Sequence, residues 1–97
     1  MDILASPLEF EWDKHNTEHI RTRHQIEPGE CEQVFFNIPL TLHPDTAHSR
    51  AEERYFASGK TNAGRAWVMV FTVRRKKIRI ITARPAGRKE RRRHEKT

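Results

Sequence analysis

Apolar residues crowd two stretches of this chain, Val34 to Leu42 and Ala66 to Ile81, and are thin elsewhere. In the second stretch Trp67, Met69, Phe71 and Val73 fall on one side of an extended backbone while Ala66, Val68 and Val70 fall on the other. That pattern predicts a strand apolar on both faces, central in a sheet and covered by helices on at least one side. Arg74 to Lys77 follows as a cationic turn, and Ile78, Ile80 and Thr82 then alternate with Arg79, Ile81 and Ala83. Two strands joined by so short a turn form an antiparallel hairpin. Upstream, Arg54-Tyr-Phe-Ala-Ser-Gly59 reads as a strand and Lys60 to Arg65 as a Gly-bearing turn. Thr41-Leu-His-Pro-Asp45 is a short edge strand, because Pro44 has no N–H for a central ladder, and it runs into a polar loop that ends at Arg50.

Nearer the N-terminus the period becomes helical. Glu9-Phe10-Glu11-Trp12 alternates like a half-buried strand, and Asp13 supplies a carboxylate to cap a helix over 14–24. The inward stripe of that helix is Asn16, Ile20 and Arg23 or His24, with Ile20 its only apolar member. Pro28 suits the first turn of a second helix whose inner face is Cys31, Val34 and Phe35, and Pro39 stops it by Asn37. At the far end Gly87 and Glu90 make half of a capping box for a basic helix. The elements sum to an α+β fold: a small single domain with an antiparallel sheet of about four to five strands, two N-terminal helices and one C-terminal helix.

Composition narrows the class. A chain of 97 residues has length for one core and no more. The hydrophobic fraction of 35% and mean hydropathy of −0.89 are low, but clustering of the apolar residues argues for a packed core against wholesale disorder. One Cys cannot form an intramolecular disulfide, no charged-then-apolar leader opens the chain, and no apolar run is long enough to span a bilayer, so a cytoplasmic protein without a membrane partner is expected. Charge is polarised: residues 74–97 hold 12 of the 19 Lys and Arg but two of the 13 acids. Arg predominates there, and its planar fork suits phosphates, which points to nucleic acid or an acidic protein partner. A solvated tail is the bland reading of the same run.

Six His make metal binding a question, but His15 and His19 at i, i+4 lack a defined third ligand, and Cys31 reads as a core thiol; no metal or cofactor is called for. RNA chemistry needs less. Cleavage beside a 2′-hydroxyl requires a proton acceptor, a proton donor and cations where phosphorane charge develops, and imidazole and guanidinium supply all three. His24 closing the first helix, Arg79 and Arg84 on the last strand, and Arg92 or His94 on the last helix are the candidates. Lys76 and Lys77 of the turn, with Arg88, Arg91 and Arg92 of the helix, are candidates for holding RNA phosphates. Asp13 and Glu90 read as structural caps.

Phe10-Glu-Trp-Asp13, His24 twelve positions after the Trp, Val34-Phe35-Phe36 with Pro39, Glu53-Arg54, and above all Arg79-Ile-Ile-Thr-Ala-Arg84 followed by Glu90-Arg91 resemble the BrnT-type toxins of bacterial toxin–antitoxin systems. The resemblance spans about residues 9 to 95, making 1–97 a single toxin-like domain with residues 1–8 and 96–97 flexible. It implies a RelE-like ribonuclease fold, metal-independent cleavage of mRNA, neutralisation by a BrnA-like ribbon-helix-helix antitoxin, and operator DNA bound through the toxin–antitoxin complex. Carried over position by position, it points to His24, Arg54, Arg79, Arg84 and Glu90. The chain departs from the pattern at Asn16, where the family has Lys, at Gln25 for Gly, at Gly87 for a hydroxyl cap and at His94 for Tyr. A non-catalytic module that binds nucleic acid or an antitoxin fits the same charge pattern.

Overall fold

The computed structural model describes Leu4 and residues 6–90. In chain order the elements are helices α1 (Lys14–His24) and α2 (Pro28–Phe36), strand β1 (Thr41–Pro44), a 3-10 turn at Thr46–His48, and strands β2 (Tyr55–Lys60), β3 (Ala66–Arg74) and β4 (Lys77–Pro85). Residues 88–90 begin a further helix; Arg91, Arg92, His94 and residues 96–97 lie outside the described residues. The expected α+β fold is present, with a four-stranded antiparallel sheet in the order β1-β2-β3-β4, so each strand pairs with its neighbour in sequence. No helix among the described residues is long and apolar enough to cross a membrane.

One face of the sheet carries the core. Ala57, Trp67, Met69, Phe71, Ile78, Ile80 and Ala83 meet Cys31, Val34 and Phe35 of α2, with Ile20 and Ile26 closing the side toward α1. Phe35 sits edge-on between Phe10 and Phe71, with ring centroids 5.5 and 5.3 Å away. Leu4 and Leu8 also pack against this cluster. Gly59 allows the close approach of α2 to β2: a Cβ there would come within 3.0 Å of a Val34 methyl and 3.2 Å of the Pro39 carbonyl oxygen.

Three expectations need correcting. The Glu9–Trp12 segment is not a full strand, because only Phe10 bridges Ile78, in parallel, with the Glu11 and Ile78 N–H groups donating to Ile78 and Glu9 carbonyls at 2.8 Å. Along α1 only Asn16 and Ile20 are buried, and Arg23 and His24 are exposed. The simple alternation along the last strand also fails. Val70 pairs with Thr82 but Phe71 with Ile80, so Ile81 is an extra residue, a bulge that reverses the facing of everything after it. Ile78, Ile80 and Ala83 therefore point inward, while Arg79, Thr82 and Arg84 share the outer face.

The β3–β4 turn is a two-residue loop in which Arg75 and Lys76 both take left-handed backbone, φ 52° and 68°. That is the geometry of a type I′ turn, normally given to Asn-Gly. The β2–β3 turn, by contrast, puts Gly64 at its positive φ of 83°.

Candidate active site

The site begins at the cap of α1. The Asp13 carboxylate accepts from the Asn16 N–H at 3.1 Å while Asn16 Oδ1 accepts from the Asp13 N–H at 2.8 Å, a reciprocal pair that fixes where the helix starts. The amide of Asn16 donates onward to the carbonyls of Glu11 and Ile80, both at 3.0 Å, and stitches the first turn to β4. Asn16 is thus a buried structural tie at the position where the resembling family has a cation. Gln25 likewise explains a departure: it ends α1 in left-handed backbone, φ 56°, where Gly is the unstrained choice.

With α1 so anchored, His15 and His19 stand one turn apart on the same helix face. They line a cleft of about 300 Å³ together with Asn16, Glu52, Arg54, Arg74, Arg79 and the Ile80–Thr82 segment. Arg54 is presented by a pinned loop. Its carbonyl accepts from the Asp45 N–H at 2.8 Å, its own N–H donates to Ser49 Oγ at 2.9 Å, and the Thr72 hydroxyl donates to the preceding Glu53 carbonyl at 2.7 Å. Backbone hydrogen bonds on both sides leave the guanidinium as the part free to reach a ligand.

Two of the three guanidiniums are already matched with acids. Arg79, only 13% exposed, contacts Asp13 at 2.8 Å and Glu11 at 3.1 Å. Arg74 makes a bidentate pair with Glu52, both contacts 2.9 Å, and reaches Glu11 at 3.9 Å. The result is a ladder of alternating sign, Asp13-Arg79-Glu11-Arg74-Glu52, across the mouth of the sheet. The hydrogen bond from Arg79 holds the Asp13 carboxyl below the usual carboxylate range, and the one from Arg74 does the same to Glu52. Among the described residues Arg54 makes no ion pair at contact distance, although its charge adds to that of Arg74 on Glu52, so it is the least engaged of the three guanidiniums.

Of the residues singled out from the sequence, Arg54 and Arg79 come together here. His24, the last residue of α1, is exposed and does not line this cleft. Arg84 lines a second cavity with Glu90, which holds it at 3.0 and 3.1 Å and raises its pKa further. Glu90 also accepts from the Gly87 N–H at 2.6 Å, the half capping box expected of it. Lys76 and Lys77 sit at the exposed tip of the β3–β4 hairpin, and Arg88 is exposed at the start of the last helix. His94, Arg91 and Arg92 lie outside the described residues.

Sequence reasoning weighed His15 and His19 only as metal ligands, and it passed over Arg74 and Glu52 as site residues. The signal for the histidines was present: positions 15 and 19 flank the inward pair Asn16 and Ile20 and so overlook whatever that stripe packs against. Cys31 plays no part, because burial, with Glu30 and Glu32 nearby, pushes its thiol up to about 12 and keeps it protonated near neutral pH. Paired imidazoles across from guanidiniums can bind a phosphate and move protons beside it, which is the minimum that ribose-directed phosphodiester cleavage asks for.

Residues 12–90, most of the chain, match the family described as ribonuclease toxin, BrnT, of type II toxin-antitoxin system. No curated protein matches the chain.

Proposed function

This chain belongs to the BrnT family of ribonuclease toxins of type II toxin–antitoxin systems, and from that premise we propose that it is an endoribonuclease that cuts single-stranded mRNA without a metal. The observation that carries this reading is that His15 and His19 line one cleft together with Arg54, Arg74 and Arg79. Arg54 receives the scissile phosphate first. Arg79, rigid between Glu11 and Asp13, and Arg74 then stabilise charge as the phosphorane forms. One imidazole accepts the 2′-hydroxyl proton and the other protonates the leaving 5′-oxygen. In this reading Arg54 and Arg79 bind and neutralise the scissile phosphate. We assign proton transfer to His15 and His19, since His24 does not line the cleft, and Arg84 lines a separate cavity.

The family also places this protein beside an antitoxin. We assign that partner the BrnA-like ribbon-helix-helix form, with operator DNA bound through the complex, in the cytoplasm and on a RelE-like scaffold. The self-paired arginines favour one other reading, a non-catalytic module that binds RNA or antitoxin without cutting.

A cleavage assay on single-stranded RNA in EDTA separates the two readings. Activity in the wild type, reduced about 10²- to 10⁴-fold in a His15→Ala, His19→Ala double variant with an unchanged melting curve, supports the enzyme. Cleavage by the double variant at the wild-type rate overturns these roles, and salt-sensitive RNA binding with no cleavage by the wild type supports the module.

A further inference from the structure

The cavity that holds Arg84 is separate from the cleft but lies on the same face of the sheet. It measures about 160 Å³ and is lined by His43, Phe56, Ser58, Val68, Arg84 and Glu90. The register places these groups side by side: His43 of β1 opposes Phe56 of β2, Phe56 opposes Val70 of β3, and Val68 opposes Arg84 of β4. The His43 and Phe56 rings lie 5.1 Å apart and tilted by 38°, an aromatic wall. Opposite it the Arg84 guanidinium is fixed by Glu90 and by the Pro85 carbonyl at 3.2 Å.

We propose that this cavity takes the base of the nucleotide next to the scissile phosphate, and so sets which RNA bonds are cut. The proposal rests on the ribonuclease reading of the cleft. Three features carry it. The volume is of the order that accepts a benzene-sized ring, about 150 Å³. The wall is aromatic, and base stacking on aromatic side chains is how single-stranded RNA is held. The rim carries a held cation, because Arg84, paired with Glu90, presents a planar guanidinium on which a base can stack.

Position supplies the link to the reaction. Thr82 lines the cleft and Arg84 lines the cavity, two residues along one strand, so the two are about 7 Å apart. The bulge at Ile81 is what brings Arg84 onto the face of Arg79. Arg54 likewise lines the cleft and Phe56 the cavity, two residues apart along the chain, so a phosphate held at Arg54 has its adjoining base within reach of the cavity.

The test uses the full chain and the variants Phe56→Leu, Phe56→Tyr and His43→Ala, each first checked by its melting curve. Cleavage sites are mapped on a mixed-sequence single-stranded RNA, and affinities are measured for short oligomers of A, C, G and U and for an abasic oligomer. The expected result is a preference for one base in the wild type, about tenfold weaker binding of the abasic oligomer, loss of the preference in Phe56→Leu and His43→Ala, and its retention in Phe56→Tyr. An unchanged cleavage pattern in Phe56→Leu and His43→Ala, or equal affinity for the abasic oligomer, overturns the subsite while leaving the nuclease intact. A wild type that cuts nothing but keeps a Phe56-dependent base preference overturns the nuclease and keeps the base-binding cavity. A melting-point loss in Phe56→Leu without loss of preference marks Phe56 as packing only and overturns the proposal.

Discussion

The two faces of the sheet are written by alternate residues of the same strands, yet they differ in what surrounds each side chain. On the face toward α2, Met69, Phe71 and Ile80 are wholly buried and touch other apolar groups. On the other, Arg79, Thr82 and Arg84 stand among His15, His19, Arg54, His43 and Glu90. The two hairpin turns repeat the contrast. At Gly64 a residue suited to positive φ makes the turn, whereas at Arg75 and Lys76 cations occupy left-handed backbone that costs about 1 kcal/mol or more for each non-glycine residue. One face and one turn are built for packing and backbone ease, while the other face and turn carry the charge. Changes on the first should be read in stability and changes on the second in RNA binding.

The largest effect that sharpens this contrast is expected from Phe71→Ala. It removes a fully buried ring packed on Phe35 and Tyr55 and should cost about 3–5 kcal/mol, read as a lower denaturation midpoint. Next comes Asn16→Ala, which crosses the boundary between the faces. It leaves the Ile80 carbonyl, at the edge of the cleft, without the amide that ties α1 down, so about 1–3 kcal/mol of stability and part of the cleavage rate should fall together. Stability loss with full activity would show that α1 does not position the histidines.

A smaller change should move the two readouts in opposite directions. Replacing Arg75-Lys76 by Asn-Gly gives the turn its favoured residues and should raise stability by about 1 kcal/mol, while RNA binding weakens and its salt dependence becomes shallower by about two phosphate contacts. A weaker fold in that variant would mean that left-handed backbone at Arg75 and Lys76 is not a cost to the native turn.

The smallest effect is that of acid. Because Asp13 and Glu52 have carboxyls held below the usual range by Arg79 and Arg74, their ionised forms are favoured by folding. Their contribution is present at pH values above the ordinary carboxylate range, near about 4, and is lost as pH falls below it through the lowered values. Both side chains lie at the surface, so the loss is slight. An Asp13→Asn, Glu52→Gln variant should show a flatter acid limb when the denaturation midpoint is followed from pH 6 to pH 2.

Much of the scaffold could be read from residues alone, and the site only in part. Asp13 and Pro28 gave the helix starts, Pro39 and Pro44 the end of α2 and the edge strand, and the apolar run of β3 its place inside the sheet, because capping, proline geometry and side-chain period act over a few neighbours. Arg54 and Arg79 were identifiable by type and by family resemblance. The choice among six histidines was not, since nothing local says which end of α1 lies over the sheet.

The sequence by itself determined the order of elements, the core positions and the polarity of charge, all of which follow from contacts a few residues long. Only the tertiary structure decided that Ile81 bulges and turns Arg84 to the side of Arg79, that His15 and His19 overlook the cleft while His24 does not, and that Glu11, Asp13 and Glu52 come to neutralise two of its arginines. Each of these depends on register between strands or on distances between residues far apart in the chain, which packing sets and local propensity does not record.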